Sequence, residues 1–90
     1  MCDALRSEFD TVREWTAELC CRVHIEDLIP DLVRVASEDR VPRIRGLSLL
    51  ALSFFNRRDA IESVQHAKVG DLHPKVQQFI HWIEERCRET

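Results

Sequence analysis

An all-α fold of about five helices is predicted by three observations. Apolar residues recur at three- and four-residue steps through most of the chain, which is the periodicity of a helix face. Glycine and proline number only 2 and 3 and tyrosine is absent, a composition poor in the residues of strands and tight turns. One stretch, Ile44 to Phe55, has only Arg45, Gly46, Ser48 and Ser53 as its non-apolar residues. A helix that is apolar nearly all round is enclosed by neighbours, so this stretch is expected to be the central rod that the other helices wall in. At twelve residues it falls well short of a membrane span.

The elements follow in order. Residues 3–23 carry Leu5, Phe9, Val12, Trp15, Ala17, Leu19, Cys20 and Val23 as an apolar stripe. A break is expected near Ser7 to Asp10, where either residue can cap the main helix. Ile25 to Ser37 repeats the pattern with Ile25, Leu28, Ile29, Leu32, Val33, Val35 and Ala36. Pro30 there either kinks the helix or lies in its first turn. Ser37 to Arg40 is a connector short enough to make neighbouring helices antiparallel. The central helix opens at Pro42. A fourth, Ala60 to Lys68, is expected to turn Ile61, Val64 and Ala67 inward, and Gly70-Asp71 stops it. The fifth opens at Pro74 and runs to about Arg88, with Val76, Phe79, Ile80, Ile83 and Cys87 inside and Trp82 on the flank.

A shift of 32 residues lays Asp71-Leu-His-Pro-Lys-Val-Gln77 over Asp39-Arg-Val-Pro-Arg-Ile-Arg45. Leu47, Ala51 and Phe55 then fall over Phe79, Ile83 and Cys87, and a second shift brings Val12, Trp15, Leu19 and Val23 to the same slots. The chain reads as half a repeat followed by two whole ones, one domain over residues 1–90. Helix pairs with an interior proline in the first helix, an Asp in the turn and Pro-x-Val-Arg opening the second resemble HEAT repeats. Pro30, Asp39, Pro42, Ile44 and Arg45 carry that pattern in the middle repeat; the last keeps Asp71, Pro74 and Val76 with Gln77 at the Arg slot, and the first keeps Val12 and Arg13 with Ser7 at the Asp slot. The resemblance implies a short right-handed α–α superhelix and a ladder between repeats made by Arg13, Asp39, Arg45 and Asp71. The alternative is an irregular four- or five-helix bundle whose turns happen to rhyme.

Net charge is −3, so the molecule as a whole does not attract phosphate backbones, and nucleic acid is not the expected partner. The Arg40, Arg43, Arg45, Arg57 and Arg58 cluster is interleaved with Glu38, Asp39 and Asp59 and reads as a salt-bridged rim. The opening residues carry no apolar core of signal-peptide length, and Cys2, Cys20, Cys21 and Cys87 match no disulfide scaffold or zinc motif, so a cytoplasmic protein with reduced thiols is expected.

Three sets of residues are candidates for function. Cys20 and His24, four apart on one helix face, can hold two corners of a metal site but need Cys2 or a distant histidine to complete it; a packed thiol is the plainer reading, and no cofactor is expected. His81 with Glu84 or Glu85 and Cys87 is the set to test for catalysis, because HEAT-like chains include lyases. His81 and Cys87 lie six apart and point to different sides of a helix. Other HEAT-like enzymes excise damaged bases from DNA, for which this chain is short and lacks a basic groove. The third set is apolar: Leu50, Phe54 and Trp82 stand at slots where other repeats carry Glu18, Arg22 or Arg86, and Leu49 adds to them. A contiguous apolar flank marks a contact surface, so the leading expectation is a non-catalytic adaptor that binds a protein or itself, as a homodimer. Two and a half repeats leave stack ends to be covered, which points the same way.

Overall fold

The computed structural model describes residues 3–88. After a short 3-10 turn, Asp3–Arg6, come five α-helices: α1 (Asp10–Arg22), α2 (Ile29–Glu38), α3 (Pro42–Leu52), α4 (Arg58–Gly70) and α5 (Pro74–Arg88), with no strand among the described residues. A second 3-10 turn, Glu26–Leu28, leads into α2. Pro30 falls in the first turn of α2 and Pro42 in that of α3, positions where no intrahelical donor is lost.

The helices form two layers. In one, α3 lies between α1 and α5; in the other, α2 lies beside α4; α3 also packs on both of these and so touches all four other helices. Its enclosure follows from its composition: Ile44, Leu47, Leu49, Ala51 and Leu52 are all buried. Gly46 is needed for close approach and not for backbone freedom, since no described residue has positive φ. A Cβ there would lie 2.2 Å from Phe79 Cδ2, so the Phe79 ring of α5 rests directly on the α3 backbone.

Several inward assignments made from periodicity are overturned. Phe9, Val12, Trp15, Leu19 and Val23 are exposed, because the side of α1 that packs on the rest of the molecule is the one carrying the buried Arg13, Ala17 and Cys20 and the half-buried Cys21. Ile61 on α4 is also exposed, as is Cys87 near the end of α5. These residues lie on outer faces that no other described helix covers. α3 ends at Leu52, and Ser53 to Phe55 form a turn instead of its last turn. At the start of α1 neither Ser7 nor Asp10 is the N-cap; Phe9 is, and Ser7 Oγ instead accepts its backbone N–H at 3.1 Å.

Candidate interaction surface

A set of polar contacts recurs every 32 residues and ties the layers together. In the turns before α1, α3 and α5 a side chain accepts the backbone N–H two residues on: Ser7 from Phe9 at 3.1 Å, Asp39 from Val41 at 2.9 Å, Asp71 from His73 at 3.4 Å. The carbonyl of the same turn residue accepts from a side chain six residues later. Arg13 Nη1 reaches Ser7 O at 2.8 Å, Arg45 Nη1 reaches Asp39 O at 2.8 Å, and Gln77 Nε2 reaches Asp71 O at 2.7 Å. The two arginines also reach forward by 26 residues: Arg13 Nε donates to Asp39 Oδ2 at 2.7 Å and Arg45 Nε to Asp71 Oδ2 at 2.6 Å. Second bonds from Nη2 at 3.2 and 3.3 Å make both pairs bidentate, the geometry that suits guanidinium to carboxylate.

Arg13 is the more enclosed arginine and also bonds Asp10 Oδ1 at 2.7 Å. Hydrogen bonding to Asp39 raises its pKa further, against desolvation, and the Arg13 bond in turn holds the Asp10 carboxyl below its usual range.

The apolar flank is smaller than the sequence implies. Leu49 is 0% exposed and belongs to the main core, which removes it from any partner surface; on a helix apolar all round, residues with no partner on their own face find one elsewhere. Leu50 is half-buried against Leu47, Phe79 and Ala17. Phe54 keeps 39% of its surface, but its ring stacks on His24 at 4.6 Å and carries the Arg86 guanidinium at 4.1 Å. Arg86 is fixed there by bonds to Ser53 O and Oγ at 3.0 and 2.6 Å. Trp82 stays 48% exposed with its edge against Phe79.

The larger uncovered patch is on α1. Trp15 is 79% and Leu19 58% exposed, and with Val12 and Val23 they make a stripe along one side of the helix. Their counterparts 32 residues on, Leu47, Ala51, Ile44 and Phe55, are buried. On α5 Phe79, Ile83 and Val76 are buried likewise. The stripe thus has the composition of a covered face without a cover.

The other candidates separate. Cys20 is in the core, whereas the exposed His24 ring lies on Phe54 with Nε2 3.2 Å from Cys21 O, so the two do not converge. Cys2 lies outside the described residues, and no group of three metal-binding side chains occurs among them. His81 lies 3.6 Å from Glu85, and Glu84 pairs with Lys68 of α4. Between α2 and α4 runs an open groove of about 980 Å³, with Val33, Ala36, Ser63 and Ala67 in its walls and the Arg45–Asp71 pair at one end. Its rim carries both signs of charge, Arg57, Arg58, Glu38 and Glu62. No described helix is long and apolar enough to cross a membrane. Comparison of the chain with protein-family models, curated proteins and solved structures finds no match.

Proposed function

We propose that the chain is a protein-interaction module of HEAT-like helical hairpins that works by binding and not by catalysis. The observation that supports this is the α1 stripe. Val12, Trp15, Leu19 and Val23 are spaced three, four and four apart, hold the register of buried residues elsewhere in the fold, and meet solvent. Apolar area of that continuity is a recognition surface more often than a solvated one. Trp82, with Leu50 beneath it, adds a second, smaller area on the neighbouring flank. The chemistry this surface recognises is an amphipathic helix laid along α1, as α2 is laid along α3. The recurring arginine–aspartate contacts favour the HEAT-like reading, because they link successive helix pairs at a fixed interval.

Selection from a displayed library of amphipathic helical peptides tests the proposal. Specific binders are expected, lost with Leu19→Glu and kept with the double change Leu50→Ser/Phe54→Ser. Binders that respond in the opposite way would move the site to the flank, and no enrichment over a scrambled library would overturn the proposal.

A further inference from the structure

We infer that the α1 stripe is the seam of a two-fold homodimer, in which each copy's α1 lies antiparallel on the other's. The inference rests on the interaction-module reading and adds the identity of the occupant.

The two ends of the stack are chemically unlike. On α3 the slots Leu49 and Leu52 are fully buried, while 32 residues on α5 carries His81 and Glu84 in those slots. Those two are engaged with Glu85 and Lys68, and Gln77 with the carbonyls of Lys68 and Asp71. α5 therefore carries polar side chains where α3 carries buried leucines, while Trp82 stays half-exposed on it and Leu52, Phe55, Ile61, Val64 and Ile83 line a groove between α4 and α5. The stripe matches the same stripe on a second copy, and pairing the two about a two-fold closes the assembly, whereas a head-to-tail contact with the α4–α5 groove would leave it open.

Charge fits the same operation. Glu18 and Arg22 stand on one edge of the stripe, 3.7 Å apart. In a two-fold arrangement each edge of the seam faces its own copy. An axis passing near Leu19 sets Leu19 against its counterpart and Trp15 against Val23 of the second copy. It also brings Glu18 of each chain within reach of the other's Arg22, so the ion pairs are exchanged and no charge is buried alone. The four apolar side chains present on the order of 400 Å² per copy. Doubled, that is about 800 Å², below the area of a stable specific interface and in the range of weak, transient ones, so the dimer is expected to dissociate at tens of micromolar or weaker.

Sedimentation of the full chain from about 1 µM to about 1 mM tests this, with Trp82→Phe as background so that Trp15 alone reports by fluorescence. The expected result is a reversible monomer–dimer equilibrium with a blue shift of Trp15 emission on association. Leu19→Glu should weaken it by about thirty-fold or more while helicity by circular dichroism is unchanged. Glu18→Arg and Arg22→Glu should each weaken it, and the double reversal should restore it. A wild-type chain monomeric throughout, or a dimer indifferent to Leu19→Glu, overturns the inference. If such a monomer still binds selected helical peptides at α1, the interaction-module reading stands without self-pairing; if it binds none, both fall.

Discussion

Arg13 and Asp39, 26 residues apart, share a bidentate ion pair at 2.7 and 3.2 Å that is almost closed to solvent, and Arg45 and Asp71 make the same pair one interval later. Each arginine also holds the carbonyl of the turn before its own helix, so one side chain joins three places on the chain. Arg13→Ala leaves Asp39 enclosed without its counter-charge and should lower unfolding stability by about 3 kcal/mol. Arg45→Ala, in a more open setting, should cost less. Arg13→Lys should recover little of the loss, because an ammonium cannot reproduce the fork. Urea denaturation of the three variants measures the order.

Acid titration bears on the same network. Arg13 holds the Asp10 pKa below its ordinary value, so the folded state binds this proton less readily than the unfolded chain. The stabilisation is present above the ordinary carboxylate pKa and is lost as pH falls through the depressed folded value. In Asp10→Asn the acid limb of stability against pH should therefore be shallower than in wild type, with the curves converging at the lowest pH.

Gly46→Ala tests how tightly α5 is seated. Alanine favours a helix interior by about 1 kcal/mol over glycine, but its Cβ would meet three atoms of the Phe79 ring at 2.2 to 2.8 Å, so the whole ring must move. Net destabilisation of about 1–3 kcal/mol is expected. Phe79→Leu should relieve part of it, so the double mutant should be more stable than the sum of the singles, a sign read from a double-mutant cycle.

The Cys21 thiol lies 3.4 and 3.5 Å from the carbonyls of Ala17 and Leu47, and burial pushes its pKa up to about 11. The thiolate is the reactive form, so alkylation should be slow at pH 8 and accelerate toward pH 11. Because the unfolded chain ionises first, the stability that the protonated Cys21 contributes is full below the ordinary thiol value and is lost progressively as pH rises from there to about 11. Alkylation of Cys21 as fast as that of a small thiol at pH 8, read by peptide mass mapping, would contradict the packing described.

What was legible in the sequence is what local pattern governs. The positions of Pro30, Pro42 and Pro74 and the spacing of apolar residues mark helix starts and faces. The string from Asp39 to Arg45, repeated from Asp71, contains the turn and the side chain that returns to it. Periodicity states which residues share a face, however, and not whether a neighbour lies over it. Trp15, Leu19, Ile61 and Cys87 have buried-face spacing and are exposed for that reason. Leu49 failed in the opposite direction, since a rod apolar on every side offers no polar face by which to orient it. The cover on Phe54 is non-local: His24 arrives from before α2 and Arg86 from α5, and no spacing rule joins them.

Self-pairing through the α1 stripe is the centre of this account, and amide chemical shifts recorded against protein concentration test it most directly. Raising the concentration should shift Val12, Leu19 and Val23 and the Trp15 indole, while Gln77, His81 and Glu84 on α5 stay still. Shifts confined to α5 or to Leu50, Phe54 and Trp82, or a spectrum that does not change, would contradict it.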